Sequence, residues 1–376
     1  MPPVRKDDDR KAMNGRIPVY RFASVWLIAC LFLCACAEEI LVSTDLHWGA
    51  NDAALSQALE ALGQTSNGTL LLLGDLTNNG REREHRECVR CLQELREAAG
   101  AEVFVLPGNH DLTGGLSPGG FARTYAAFGF GQAFSRDEAS LSYAVRTREN
   151  TVLIMLDTND YGEEGVAGSG CRVRDGTLEW VRSVLDQCRG EAALAFGHHP
   201  ILPYAEGDEN GARLVRILEE AGVPMYLCGH RHENYLVREE AFCQAVIGLP
   251  WSYPARIGAL TVESDGSGRF ESRFLFDPEG GTMRAWRTEA WNMGLAMGEG
   301  SLRGTAWEGD ENARDWFAEA FMAVLDGTLW QQRARFLADP GYRKWQEAEV
   351  KSVVKPWILG LVAQPAQDDT VYAWSR

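Results

Sequence analysis

The sequence predicts an α/β protein, because short apolar runs alternate with stretches of helical spacing. The runs at 69–73, 103–107, 192–196 and 224–228 are almost entirely apolar, which is typical of strands buried on both faces of a parallel sheet. Each run is followed by Gly and then by Asp, Asn or His. Since open α/β sheets bind ligands at the carboxyl ends of their strands, we expect the chemistry at that edge.

Composition limits the classes of function that remain. The chain has 376 residues, of which 45% are hydrophobic and 24% charged, and its formal net charge is −16. Residues 1–36 hold six basic and three acidic residues, so the rest of the chain has 31 basic against 50 acidic residues, a net −19. This balance disfavours nucleic-acid binding, which needs cations against phosphates, and a polybasic membrane-binding face.

Residues 1–36 are predicted to be a signal or lipoprotein leader. Arg16 and Arg21 precede an apolar stretch over 22–35 that is too short to span a bilayer and typical of a signal peptide. The sequence Leu33-Cys34-Ala35-Cys36 resembles a bacterial lipobox. We therefore expect an exported protein, periplasmic or at the cell surface, with a lipid anchor at Cys36. The alternatives are an ordinary cleaved signal and an uncleaved anchor.

Cysteine spacing does not predict a thiolate metal site. Six cysteines follow the leader: Cys88, Cys91, Cys171, Cys188, Cys228 and Cys243. Cys88 and Cys91 are three apart on a predicted helix, but no second pair has metal-binding spacing. We expect structural thiols or disulfides.

The first half of the chain supplies three polar strand ends. A strand over 40–44 ends in Asp45-Leu46-His47, and because residues i and i+2 share a face, both side chains can reach one metal ion. The next two runs end in Gly74-Asp75 and in Gly108-Asn109-His110-Asp111.

Helices are predicted over 52–62, 82–98 and 177–188, strands over 140–146 and 151–156, and a loop over 112–120. His85, on the second helix, is interpreted as solvent-facing, and Asp157 to Asp160 either line the site or turn the chain.

Two further strand ends carry histidines. They are Gly197-His198-His199-Pro200 and Gly229-His230-Arg231-His232, so six of the seven histidines follow strands. Short strands are then predicted over 235–239, 244–248, 258–263 and 270–276, a linker over 277–281, and helices over 311–326, 328–338 and 341–353.

The C-terminal part is rich in tryptophan. Eight of the twelve tryptophans lie between Trp286 and Trp374. We expect the helices to pack these rings inward; the alternative is that they shape a substrate entrance or stack on a base or sugar. The predicted domains are the leader at 1–36, a catalytic domain at 37–278 and a small helical domain at 279–376.

The ordered set of five strand-end motifs over about residues 40–235 resembles the calcineurin-like metallophosphoesterase superfamily. Gly74-Asp75-Leu76-Thr77-Asn78-Asn79-Gly80 is similar to the bacterial branch near class III cyclic-nucleotide phosphodiesterases, which includes secreted members with a C-terminal helical domain. The resemblance implies a four-layer α/β/β/α sandwich of two mixed sheets.

The resemblance also implies a two-metal centre. Asp75 would bridge the ions, with Asp45, His47 and His232 on one ion and Asn109, His198 and His230 on the other, and a metal-bridging hydroxide would attack phosphorus. His110 would protonate the leaving oxygen or stabilise phosphoryl charge, and Asp111 would orient its ring. His198 is preferred to His199 as the ligand, and the reverse order stays open. Nitrogen and oxygen donors suit Mn, Fe or Zn. The absence of a Tyr near Asp75 disfavours the tyrosinate-containing purple acid phosphatase variant.

The expected function is hydrolysis of small phosphodiesters such as cyclic nucleotides. Phosphomonoester hydrolysis is the alternative, because the metal motifs are shared. The acidic surface disfavours a nuclease, and the complete ligand set disfavours a non-enzymatic binding module. Membrane association is expected only through the lipid anchor.

Overall fold

Two mixed β-sheets and ten α-helices make up the described chain in the computed structural model, which covers residues 37–66, 68–161, 168, 170–202, 209–364 and 367–375. The predicted leader and Cys36 lie outside these residues, so export and lipidation stay predictions. Among the described helices, none is long and apolar enough to cross a membrane.

The first sheet has the order β13-β12-β11-β1-β2-β3. Its strands are β1 (Glu38–Ser43), β2 (Thr69–Leu73), β3 (Glu102–Leu106), β11 (Arg256–Val262), β12 (Gly268–Phe274) and β13 (Val371–Trp374). Strands β1, β2 and β3 are parallel, and β11, β12 and β13 extend the sheet antiparallel. The three parallel strands therefore end at the same edge.

The second sheet has the order β4-β5-β6-β7-β8-β10-β9. Its strands are β4 (Ser135–Arg136), β5 (Tyr143–Arg146), β6 (Val152–Leu156), β7 (Ala193–Gly197), β8 (Met225–Cys228), β9 (Tyr235–Arg238) and β10 (Cys243–Val246). Strands β6, β7, β8 and β10 are parallel.

Helices cover the outer faces of both sheets. They are α1 (Asp52–Thr65), α2 (Glu82–Ala99), α3 (Pro118–Thr124), α4 (Asp175–Gln187) and α5 (Glu209–Glu220). Leu153 and Met155 of β6 share a core with the first sheet, α1 and α2, whereas Val152 and Ile154 pack with α4 and α5. Because successive side chains point to opposite faces, both faces of the strand are buried. This confirms the predicted four-layer sandwich.

A third core lies in the C-terminal helices. They are α6 (Gly281–Leu302), α7 (Glu311–Leu325), α8 (Leu329–Ala338), α9 (Pro340–Glu347) and α10 (Val354–Ala363). Trp316 and Trp345 are buried, and their indole nitrogens donate to the carbonyls of Phe336 and Ala313. The prediction that the aromatic rings pack inward is confirmed for these two residues.

Several predicted boundaries were wrong. The predicted loop over 112–120 runs into α3, because Pro118 fits the first helical turn and the Ser117 hydroxyl accepts a hydrogen bond from Gly120 N. The predicted helix over 341–353 ends at Glu347, and α10 begins at Val354. The pattern also failed to predict α5, α6 and β13; the last pairs with β12, so the chain returns to the first sheet after the helices.

Because α9 packs closely on α7, we expect alanine substitutions at two helical glycines, Gly341 and Gly360, to have different effects on stability. A Cβ added at Gly341 would lie 2.4 Å from Trp316 Cβ, whereas no heavy atom lies within 4 Å of one added at Gly360. We expect Gly341→Ala to destabilise the protein by about 1–3 kcal/mol through overpacking. Gly360→Ala should be neutral or stabilising by up to about 1 kcal/mol through helix propensity. Chemical denaturation measures both, and equal stability of the two variants would contradict this packing.

We expect the contribution of Asp369 to the free energy of unfolding to depend on pH. Burial raises the pKa of Asp369 to about 6, although its Oδ1 lies within 3.4 Å of Leu236 N. The folded state then holds this proton more tightly than the unfolded state, so the stabilisation falls as pH rises through that range. We expect the unfolding free energy of Asp369→Asn, minus that of the wild type, to increase between about pH 4 and pH 7. A difference that stays constant would mean that this carboxyl is not titrating there.

Candidate metal centre

Five turns bring polar side chains to one edge of both sheets. Those after β1, β2 and β3 come from the first sheet, and those after β7 and β8 from the second. They carry Asp45, His47, Asp75, Asn109, His110, Asp111, His198, His199, His230 and His232. Residues far apart in the sequence therefore meet where the parallel strands end.

Asp45, His47 and His232 form the first donor group. The Nε2 atoms of His47 and His232 lie 3.1 Å apart, and Asp45 Oδ1 is 3.4 Å from Nε2 of His232. Asp45 is fully buried, and its Oδ1 has no hydrogen-bond partner among the described residues. Three donor atoms thus converge on one point.

Asn109, His198 and His230 form the second donor group. Asn109 Oδ1 lies 3.2 Å from His198 Nε2 and 3.0 Å from His230 Nδ1. The Nδ1 of His198 donates to the carbonyl of Leu73 at 2.8 Å. Since a carbonyl only accepts, this bond leaves Nε2 of the neutral ring with its lone pair directed at the group.

Asp75 joins the two groups. Its Oδ2 is 3.4 Å from His198 Nε2 and 3.7 Å from His47 Nε2. Its Oδ1 accepts a hydrogen bond of 2.8 Å from the backbone N–H of His110. The carboxylate of Asp75 therefore lies beside possible metal ligands from both sheets.

The backbone at these turns is left-handed. Asp45, His47, Asp75, His230 and His232 have φ angles of 54°, 47°, 49°, 68° and 56°. Non-glycine residues adopt this conformation at a cost of order 1–3 kcal/mol each, and they do so mainly at functional sites. The described chain has only two other non-glycine residues with positive φ, Asn150 and Ala255.

The glycines that precede the donors are required by close approach. A Cβ at Gly108 would lie 2.2 Å from Asp75 Oδ1, and a Cβ at Gly229 would lie 2.3 Å from Asp45 Oδ2. These distances explain in physical terms why glycine occurs at both positions of the motifs.

Burial and charge set the protonation of the donors. Burial lowers the pKa of His47 and of His230 to about 4 each, so both rings are neutral at pH 7. Burial alone would raise the pKa of Asp45, but the imidazoles of His232, His198 and His47 close to its carboxylate hold that pKa below its ordinary value. Burial would likewise lower the pKa of His198, but the Asp75 carboxylate raises it to about 9. In the metal-free chain, a proton on His198 thus supplies the positive charge that Asp75 faces.

The donor set fits two metal ions. His and Asp donors form overlapping clusters within 4.8 Å, and a cation would satisfy the unpartnered oxygen of Asp45. Taken together, the clusters offer imidazole nitrogens and carboxylate oxygens without thiolate, which suits Mn, Fe or Zn. Six of the predicted ligands lie in the two donor groups, and the seventh, Asp75, lies between them.

The His110 ring does not contact the Asp111 carboxylate, which was its expected partner. Its ring Nδ1 donates to the backbone carbonyl of Asn78 at 2.7 Å. The Asp111 carboxylate instead accepts hydrogen bonds from Leu76 N, Thr77 N and Oγ1, and Gly108 N. The prediction that Asp111 orients the His110 ring was therefore wrong; this buried carboxylate ties the turns after β2 and β3 together.

The adjacent residues His198 and His199 have different side-chain contacts. His198 Nε2 approaches Asp75 and Asn109, whereas His199 Nδ1 lies 3.0 Å from Thr158 Oγ1. These distances favour His198 as the ligand, although His199 Nε2 is also buried near His230. Within the segment expected to line the site or turn the chain, Thr158 therefore has a contact that sequence reasoning missed.

The interpretation of His85 as solvent-facing was wrong. Its side chain is 1% exposed, with Nε2 donating to the Asp111 carbonyl at 2.9 Å and Nδ1 lying 2.9 Å from the Tyr125 hydroxyl. Helix α2 turns this residue inward on the face that also buries Cys88 and Leu92. His85 thus supports the turn that carries His110 and Asp111.

Comparison with known proteins gives a family match. A family model described as calcineurin-like phosphoesterase matches residues 39–234, which contain all five turns. Tartrate-resistant acid phosphatase type 5 of rabbit (Oryctolagus cuniculus) is 27% identical over 150 residues, covering 36% of this chain and 45% of the relative. The human protein of that name is 27% identical over 175 residues, covering 43% and 52%. This chain therefore spans about half the length of these curated relatives.

The chain was also compared with solved structures. The protein TT1561 of Thermus thermophilus superposes with a TM-score of 0.41 at 14% identity, covering 64% of this chain and 100% of that chain.

Removal of the buried His85 ring tests its place in the structure. We expect His85→Ala to lower the unfolding free energy by about 2–5 kcal/mol, because it leaves two polar partners unsatisfied and opens a cavity. His85→Gln, which can keep a donor to the Asp111 carbonyl, should lose less. Arg86→Ala on the same helix removes an exposed ion pair with Glu82 and should cost under about 0.5 kcal/mol. Equal losses at positions 85 and 86 in denaturation experiments would place His85 at the surface.

Proposed function

The chain belongs to the calcineurin-like phosphoesterase family, and from this membership and the geometry of its site we propose that it hydrolyses phosphoesters with two metal ions. The observation that carries the proposal is the pair of donor groups joined by Asp75, whose Oδ2 lies 3.4 Å from His198 Nε2 and 3.7 Å from His47 Nε2.

The proposed metal ligands are the two donor groups with Asp75 between them. When bound, two metal ions activate a water nucleophile and neutralise charge on the phosphoryl oxygens. The protein holds the donors in place before binding, because the left-handed turns and the hydrogen bonds of Asp75 and His198 fix their directions.

His110 is proposed to act on the leaving group. Its Nδ1–H is held by the Asn78 carbonyl, so Nε2 is the ring atom that can exchange a proton with substrate. The side chain is 42% exposed and Nε2 is 4.0 Å from Asp75 Oδ2. A protonated ring can therefore deliver its Nε2 proton to the departing oxygen beside the metal ligands.

We propose small phosphodiesters, with cyclic nucleotides as the first class to examine, as the substrates. The support is the Gly74-to-Gly80 sequence, which resembles the cyclic-nucleotide branch. Phosphomonoesters are the second candidate, supported by the curated relatives, whose names are those of acid phosphatases. The metal ligands serve either reaction, so substrate comparison must decide between them.

Two substitutions separate metal binding from proton transfer. With added Mn²⁺, we expect the wild type to cleave bis-p-nitrophenyl phosphate faster than p-nitrophenyl phosphate. Asp75→Asn should lose both metal and activity, because the shared ligand is gone. His110→Ala should keep its metal and lose about 10²–10⁴-fold in rate, as expected for a general acid.

Arg86→Ala is the control, since it lies on the exposed face of α2 and should behave as the wild type. A preference for the monoester would move the assignment to a phosphatase. Full activity of Asp75→Asn in metal-depleted buffer would reject the two-metal proposal.

A further inference from the structure

The C-terminal end of α7 lies against two loops of the metal centre. The side-chain amide of Asn234 donates to the carbonyl of Leu325, the last residue of α7, at 3.3 Å. The Tyr253 hydroxyl donates to the carboxylate of Asp326, the next residue. One loop follows the His230-to-His232 turn, and the other follows β10.

Asn234 connects three parts of the chain. It is 3% exposed, and its Oδ1 accepts a hydrogen bond of 3.1 Å from Gly248 N while Nδ2 reaches α7. The last carbonyls of a helix lack partners within the helix, so a buried amide that caps one is costly to remove. Asn234 follows His232 by only two residues.

The second loop reaches the same donor group. Trp251 donates its indole N–H to the backbone carbonyl of Asp45 at 3.0 Å. Tyr253, two residues further on, is held by Asp326. Contacts from the end of α7 therefore reach the neighbourhood of both His232 and Asp45.

His232 needs such support. Its φ of 56° is an unfavourable conformation that persists only where the surrounding structure fixes it. Its Nε2 must also stay close to two other donors, 3.1 Å from His47 Nε2 and 3.4 Å from Asp45 Oδ1. The second donor group has its own supports, such as the Leu73 carbonyl on His198.

We propose that Asn234 is a positioning residue through which the C-terminal helices hold His232 in the first donor group. The helical region is then part of the metal centre, because it sets the affinity for the ion bound by Asp45, His47 and His232. This inference rests on the metal ligands proposed above.

Calorimetric titration of the full chain with Mn²⁺ tests the inference. The wild type should bind two ions. Asn234→Ala should weaken one of them by about 10- to 100-fold, as loss of a residue that orients a ligand does, and should leave the other within about 3-fold. His232→Ala should weaken the ion of the first donor group and His230→Ala the ion of the second, so these two variants show which binding step belongs to which group. Asn234→Ala should weaken the same step as His232→Ala.

A matched control separates positioning from general destabilisation. Thr151 is buried and donates to Glu38 through its hydroxyl, away from the strand ends that carry the donors. Thr151→Val should lower the melting temperature but leave both Mn²⁺ affinities unchanged. If Asn234→Ala does not fold, Asn234→Asp, which keeps an acceptor for Gly248 N, should show the same selective loss to a smaller degree.

Hydrogen exchange of the metal-free protein gives a second readout. Asn234→Ala should exchange faster over 229–235, while 197–199 stays as in the wild type. A wild type that binds fewer than two ions would reject the metal centre itself. A two-ion wild type with a folded Asn234→Ala whose affinities are unchanged, or equally weakened, would overturn the positioning role alone.

Discussion

A carboxylate buried between two sheets constrains this fold more than any other group. Asp75 is 1% exposed, and an ionised carboxylate at such a place is stable only with charge and hydrogen-bond partners. It finds them in the His110 N–H and the His198 ring, which follow β3 and β7. Because these strands belong to different sheets, the sheets must pack before the carboxylate is satisfied. Folding of the sandwich and assembly of the site are therefore one event.

The sequence was sufficient to predict the strands that end in polar motifs, because that information is local. An apolar run followed by Gly74-Asp75 or Gly229-His230 marks a buried strand and its edge within a few residues. His85 could not be predicted in this way, because its partners are the carbonyl of Asp111 and the hydroxyl of Tyr125, which are 26 and 40 residues away. On a helix rich in Arg and Glu, it had the appearance of a surface residue.

In the C-terminal region, too, the sequence predicted only part of the structure, but for a different reason. Helix α6 contains four glycines, which weaken the helical pattern, but Gly298 allows close packing, since a Cβ there would lie 3.2 Å from the Arg314 carbonyl. The density of tryptophan correctly predicted a core around Trp345. No pattern in the sequence could have indicated that Asn234 meets Leu325, because that contact depends on how the helical region lies against the sandwich.

The left-handed turns have a consequence for how such a site changes over evolutionary time. Asp45, His47, Asp75, His230 and His232 all keep a backbone conformation that glycine adopts freely and other residues do not. A lineage released from selection for catalysis would gain stability by replacing them, since the chemical benefit that opposes the strain has gone. Drift at these positions should then favour glycine and asparagine over alanine. Descendants that have lost the activity should therefore be recognisable by which residues replaced the ligands, as well as by the loss itself.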